Sequence, residues 1–254
     1  MAFEENAYGQ YKIQKTLLDM MVEIDSVCRK HDIWYSLLGG TMLGAARHKG
    51  FIPWDDDIDL VFTAESLKRF MEIFPRESQR YTVTDQDTWV ARVVPREPID
   101  GERPFADLFH FEPVSASGVQ RKIKVLLLQT LQGMLKERVD LSRFGLKERI
   151  LLGGTHALGL LFTRRAKLGM YRWISAHVAR GDGSLLHISD DQFHLLGLTY
   201  RGECAGKRMD TPFETATLQM SALYDEMLRQ QYGDYMTPPP ESERKPLHED
   251  WRSM

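Results

Sequence analysis

The chain has 254 residues, 43% of them hydrophobic and 27% charged, the balance of a soluble globular protein, which excludes disorder as a reading of the whole. Its 33 Lys and Arg against 36 Asp and Glu leave a charge of −3, which argues against a nucleic-acid-binding surface spread over the molecule and predicts no nucleic-acid partner. Cys28 and Cys204 have no CxxC spacing, so neither a thiolate zinc site nor a disulfide framework is indicated, and a reducing cytoplasm is the expected home.

The opening MAFEENAYGQ has no basic segment followed by an apolar one, so no secretory signal is expected. The longest apolar stretch, Ile150 to Phe162, is interrupted by Gly153, Gly154, Thr155, His156 and Gly159 and is too short for a span, which takes about 20 apolar residues. Between residues 10 and 30, Leu17, Met21, Ile24 and Cys28 recur at i, i+4, i+7 and i+11, the spacing of an amphipathic helix. Ile33 to Leu38 is rich in β-branched and aromatic residues and stops at Gly39-Gly40, which predicts a short buried strand and a tight turn, with a helix over Thr41 to Arg47. Ile58, Leu60 and Phe62 then alternate with Asp57, Asp59 and Val61 at the period of a strand. A helix over 67–74 and strands over 81–83, 89–94 and 105–111 follow.

From about 120 the β signal fades, and apolar residues fall at helical spacing among basic ones. We expect one domain over 1–254 carrying a basic helical insertion over 120–182. Arg121 to Arg180 holds 13 Lys or Arg against Glu137, Asp140 and Glu148, a net +10. Such a segment either pairs with the acidic remainder of the chain or attracts an anionic glycan or the anionic cytoplasmic face of a membrane. Met220, Leu223, Tyr224, Met227 and Leu228 predict a last helix, with Gly233 as its stop and Pro238-Pro239-Pro240 beyond it.

Chemistry concentrates in Gly39 to Leu60, GGTMLGAARHKGFIPWDDDIDL. Asp55, Asp56, Asp57 and Asp59 crowd like charges beside apolar Ile52, Trp54, Ile58 and Leu60, so a basic partner or a divalent cation must balance them. Asp57 and Asp59, two apart on a strand, project from one face and can grip a hard cation, Mg²⁺ or Mn²⁺, which usually takes one or two carboxylates together with substrate phosphates. A calcium loop starting at Asp55 fails, with Leu60 where glycine is needed and Ser66 where glutamate is needed. Gly39-Gly40 ends one strand and Thr41 begins a helix, so the backbone N–H groups there either receive a phosphate or belong to a plain turn. Arg47, His48 and Lys49 lie where such a phosphate needs positive donors, although each can instead neutralise Asp55 or Asp56. Asp107, a lone acid in the strand-like FADLFHF, either completes the metal site, accepts a proton from an acceptor hydroxyl, or faces water at a sheet edge. His156, His177, His187 and His194 show no ligand spacing, and neither a G-x-S-x-G elbow nor a Walker loop occurs.

GGTMLGAARHKGFIPWDDDIDL, FADLFHF and YGDYMTPPPESER (Tyr232 to Arg244) together resemble the LicD family, which includes fukutin-like proteins. The resemblance implies an α+β fold, a nucleotidyltransferase-like mixed sheet flanked by helices. It further implies that Gly39 and Gly40 form a phosphate-holding turn and that Asp57, Asp59 and Asp107 hold Mg²⁺. The implied activity is transfer of phosphocholine or a related phospho-alcohol from a CDP-activated donor to a hydroxyl of a cell-surface glycan, such as lipopolysaccharide or teichoic acid, or its lipid-linked precursor. Thr41, Arg47, His48, Lys49, Asp55 and Asp56 are then the expected substrate-binding residues, and a cytoplasmic location, peripheral at the inner membrane face, is the expected one. FADLFHFEPV departs from the family where Leu-Phe-His stands in place of a sequence closer to Ile-Phe-Pro. Two other readings use the same residues: attachment of a nucleoside monophosphate, and a non-catalytic module binding a nucleotide or glycan.

Overall fold

The computed structural model describes residues 8–86, 88–135, 154 and 159–245. It is a mixed α/β structure, with a mixed sheet flanked by helices as expected, and its contacts divide the chain into two compact units. One comprises residues 1–85, 90–111 and 202–254, and the other residues 86–89 and 112–201.

In the first unit, helix α1 (Tyr11–Lys30) buries Leu17, Met21, Ile24 and Cys28, the four residues its spacing singles out, and ends on Arg29 and Lys30, which suit the negative end of the helix dipole. Strand β1 (Tyr35–Leu37) leads directly into α2 (Gly39–Arg47). The helix thus begins at the glycine pair itself, where a separate tight turn was expected. Strand β2 (Ile58–Thr63) leaves Asp57 just ahead of it, and Leu60, Val61 and Phe62 are buried in succession. The alternation of polar and apolar residues therefore holds only at the start of β2, the remainder being covered on both faces.

Thr63 caps α3 (Ala64–Glu77) by accepting a hydrogen bond from Ser66 N at 3.1 Å. Strands β3 (Tyr81–Thr84), β4 (Ala91–Pro95) and β5 (Ala106–Pro113) complete a sheet in the order β1-β2-β5-β4-β3. The β2–β5 pair is parallel and its neighbours antiparallel. Trp89, expected in a strand, lies before β4 and packs its ring 6.1 Å from Tyr171 in the second unit's own core.

The unit closes with the ribbon β8 (Arg208–Phe213) and β9 (Ala216–Ser221) and helix α6 (Tyr224–Tyr232). Met220 pairs with Met209 in that ribbon, so the last helix starts four residues later than expected and stops at Gly233 as expected. Leu218 and Met220 are buried alternately, and this period of two prevails over the helical spacing of the next residues.

In the second unit, α4 (Gly118–Leu135) and α5 (Arg164–His177) bury Leu128, Leu131, Leu135, Leu168 and Tyr171 together, beside a short β6–β7 pair (Leu185–Ile188 and Tyr200–Arg201). Of residues 120–182, 136–153 and 155–158, His156 among them, lie outside the described residues. A polar cluster sits within the unit. Glu112 accepts from Ser175 Oγ at 2.7 Å, Ser189 Oγ at 2.5 Å and Lys124 Nζ at 3.3 Å. Lys124, 1% exposed, also donates to Ser175 O at 2.7 Å, so one basic residue of the segment is neutralised internally.

Candidate active site

The site grows from the β1–α2 junction. Gly39 has φ +52°, a left-handed conformation that glycine takes without a Cβ penalty. A Cβ on Gly39 would stand 2.5 Å from Asp59 Oδ2, and one on Gly40 would stand 2.9 Å from Asp55 Oδ2. The immediate neighbours of the glycine pair are therefore carboxylates, a favourable arrangement at the positive end of a helix. Thr41, buried, accepts from Asp59 N at 2.9 Å, and Leu38 N donates to Asp59 O at 3.0 Å. These two bonds fix the backbone of Asp59 against α2.

Between α2 and β2 the chain forms a loop pinned by Gln14, whose amide donates to Ile52 O at 3.0 Å and Asp55 O at 2.9 Å. Asp55, Asp56 and Asp57 each offer a carboxylate oxygen within 4.8 Å of the others. Asp56 and Asp57 are 2% and 7% exposed, too little for water to screen their charge fully. Asp55 Oδ2 is buried without a hydrogen-bond partner. Burial, and then the charges of Asp57 and Asp56, hold the Asp55 carboxyl well above the usual range. Three crowded carboxylates with an orphaned buried oxygen form the donor set that a hard divalent cation requires, and the residues fit Mg²⁺ or Mn²⁺.

Asp59 and Asp107 meet through sheet register. They are direct partners in the parallel β2–β5 pair, and Asp107 in turn faces Arg92 across β4. Arg92 Nε donates to Asp107 Oδ1 at 2.6 Å and Nη2 to Oδ2 at 3.4 Å, while its guanidinium lies 4.2 Å from the centre of the Phe105 ring. Asp107 is thus an interior-strand residue, and the water-facing edge position considered for it does not occur. Asp55, Asp56 and Asp57 form one group, Asp59 and Asp107 another, and Gly39-Gly40 touches both.

The basic residues separate in role. Arg47 Nη1 donates to Tyr235 O at 2.8 Å, and burial together with the charge of Arg244 lowers its pKa. Arg244 lies 5.4 Å from the centre of the Trp54 ring, next to the aspartate loop, and His48 packs edge-on to the same ring. Burial and the charge of Arg47 push His48 down to about 4, so at neutral pH it offers a hydrogen bond but no positive charge. Lys49 is exposed and donates to Ala46 O at 3.2 Å, at the end of α2.

Residues 32–126 match the family model described as LicD/FKTN/FKRP, nucleotidyltransferase domain. This segment is a LicD-family domain. The LicD match takes in every glycine, base and carboxylate proposed above except Arg244, and the fold is the α+β nucleotidyltransferase-like one. The lipopolysaccharide cholinephosphotransferase LicD of Haemophilus influenzae is 26% identical over 259 residues, covering 92% of this chain and 94% of that protein. An uncharacterized protein of Rickettsia typhi is 38% identical over 64 residues, and one of Rickettsia prowazekii 37% over 70, covering 21% and 26% of those proteins.

Two residues escaped sequence reasoning. Arg92 had a signal, a lone cation between strand residues Ala91 and Val93. Arg244 stood in a LicD-like motif, but nothing in its spacing linked it to Trp54.

Proposed function

We propose that the protein transfers phosphocholine or a related phospho-alcohol from a CDP-activated donor to a hydroxyl of a cell-surface glycan or its lipid-linked precursor. The observation that carries this reading is the Asp55–Asp57 carboxylate cluster set against Gly40, with its buried unpartnered oxygen. The near full-length similarity to the Haemophilus influenzae cholinephosphotransferase supports the choice of transferred group and of a lipopolysaccharide-type acceptor.

Asp57, grouped with Asp55 and Asp56, would hold Mg²⁺ or Mn²⁺, and Asp59 with its strand partner Asp107, on the other side of the glycine pair, would supply the remaining carboxylates. When bound, the ion supplies positive charge to the donor diphosphate. The chain's own residues do the rest. Arg47, half-buried and charged, holds a phosphate oxygen, with Lys49 available from the surface and His48 as a neutral donor. Arg92 holds the Asp107 carboxylate in place through its two-pronged contact. Asp107 is the carboxylate placed to accept the proton of the attacking hydroxyl. In-line attack on the phosphorus distal to the nucleoside then expels CMP.

The basic segment Arg121–Arg180 attaches the enzyme to the anionic inner face of a membrane, where a lipid-linked acceptor resides. No described helix is long and apolar enough to cross a membrane. The test is incubation with a panel of CDP-alcohols, Mg²⁺ and a glycolipid acceptor. Acceptor-dependent CMP release is expected, whereas pyrophosphate release from a nucleoside triphosphate would indicate nucleotidyl transfer. Mn²⁺ binding without turnover on any donor would indicate a non-catalytic module.

A further inference from the structure

Helix α4 carries two apolar faces where folding needs one. Leu128, Leu131 and Leu135 enter the core of the helical unit. Val119, Ile123, Leu126 and Leu127, at i, i+4, i+7 and i+8, form a second stripe that faces water, with Val119 70% and Leu126 62% exposed. Leu160 and Leu161, just ahead of α5, are each 76% exposed, and Trp173 on α5 is 59% exposed. Between α4 and α5 runs a groove of about 440 Å³, lined by Leu127, Leu131, Met134, Phe162, Met170 and Trp173 among others, with Thr130 its one polar side chain.

Among the described residues of these two helices and their flanks, charge has one sign. Residues 114–135 and 159–180 contain eight Lys or Arg and no Asp or Glu. Lys124 is buried against Glu112, and the other seven are at least partly exposed. Arg165, Arg172 and Trp173 share a face of α5 at i, i+7 and i+8, and Lys122 lies one turn from Leu126 on α4. Long basic side chains can lay their stems on apolar surface and keep their charge in water.

We propose that this face of the helical unit docks on an anionic phospholipid bilayer, with the apolar stripe and Trp173 entering the acyl layer while the surrounding Lys and Arg meet lipid phosphates. Apolar residues bordered by Lys and Arg, with an exposed Trp, are the composition of an interfacial helix pair. The partner must offer negative charge above hydrocarbon depth, which a bilayer does. A second copy of this chain would instead set seven like charges against seven. The proposal deepens the peripheral-attachment reading above and rests on it, and it is independent of the metal chemistry.

The test is flotation of the full-length protein with vesicles of phosphatidylcholine alone or mixed with phosphatidylglycerol, with tryptophan emission recorded in parallel. The protein is expected to float with the mixed vesicles only, with a blue shift in emission that Trp173→Phe removes. Leu126→Glu combined with Leu161→Glu should weaken binding about tenfold or more, since each change removes an inserting leucine. Arg165→Gln combined with Arg172→Gln should weaken it about tenfold or more at low salt. All four positions are solvent-facing or partly so, and unchanged melting temperatures and unchanged CMP release on a detergent-solubilised acceptor will show that fold and chemistry are intact. Full binding by the double glutamate variant, or no shift assignable to Trp173, overturns insertion and leaves a purely electrostatic contact. Equal binding to neutral vesicles overturns the role of the basic residues. Absence of binding overturns both docking and peripheral attachment, while CMP release from CDP-alcohols would still stand. A dimer dispersed by Leu126→Glu would show the face to be a self-interface and overturn the proposal.

Discussion

Gly40→Ala separates the site from the fold. Gly40 sits in the first turn of α2 with an ordinary backbone, where alanine is preferred over glycine by roughly 0.5–1 kcal/mol. The three nearest atoms that the new Cβ would meet all belong to the Asp55 carboxylate, with Oδ2 at 2.9 Å. Ordinary contact begins at 3.4 Å, so Asp55 must retreat by about half an ångström, beyond the roughly 0.2 Å tolerance of a metal–ligand distance. The expected result is an unchanged or slightly raised melting temperature, with Mn²⁺ affinity and CMP release both reduced about 10–100-fold. Calorimetric Mn²⁺ titration, thermal melts and CMP release from CDP-choline on the same preparation measure all three. Full Mn²⁺ affinity and full turnover in a folded Gly40→Ala protein would remove Asp55 from the site. Gly39→Ala should lose stability as well as activity, because its φ of +52° adds about 1 kcal/mol of backbone strain to a 2.5 Å encounter with Asp59.

Asp55→Asn should raise the melting temperature of the metal-free protein, because it removes a buried carboxyl that has to hold a proton in the fold which the unfolded chain has lost at neutral pH, and should abolish the Mn²⁺-induced stabilisation, about 2.7 kcal/mol for wild type at a hundredfold excess over Kd. An unchanged Mn²⁺ response in the asparagine variant would contradict this. Arg92→Gln should cost about 2–3 kcal/mol, because it leaves the Asp107 carboxylate, 12% exposed, without its charged partner, and should depress turnover. Urea unfolding decides the first point, and Arg92→Lys should restore charge without restoring the two-pronged contact. Asp57→Ala and Asp59→Ala should each abolish transfer with the fold intact, and turnover in the double variant would refute the assignment.

The helical unit should show two opposed pH dependences. Burial raises Asp191 from 3.8 to about 7, so its folded form holds a proton that the unfolded chain has lost, and this contribution to stability falls as pH rises from about 4 to 7. Burial lowers His187 from 6.5 to about 4, so the unfolded chain holds the extra proton, and this contribution rises with pH over about 4 to 6.5. Urea midpoints should fall with pH across this window in His187→Gln and rise with it in Asp191→Asn. Parallel slopes in the two variants would refute the pairing.

Much of the first unit was legible because its signals are local. The period of α1 and the aspartate-rich strand start are written in adjacent residues, and so are the glycines ahead of α2. The β8–β9 ribbon was not legible, because Met220 fits both the strand it occupies and the helical spacing of Leu223 and Met227. Within the site, Asp57 and Asp59 suggested each other by proximity. The local grouping of Asp55 with Asp56 and Asp57, and its contact with Gly40, depend on how the loop folds back on α2. Arg92 was invisible for a different reason: its partner is set by strand order, and no spacing rule announces that β4 lies beside β5.

Asp59 and Asp107, 48 positions apart in the chain, become neighbours only when β2 and β5 pair in parallel register. A slip of one residue would turn one carboxylate to the opposite side of the sheet and leave the other behind. An ion gripped by both would therefore recognise only the correctly registered sheet. It would act as a proofreader of strand alignment during folding, rewarding the native pairing and no other, before any donor reaches the protein.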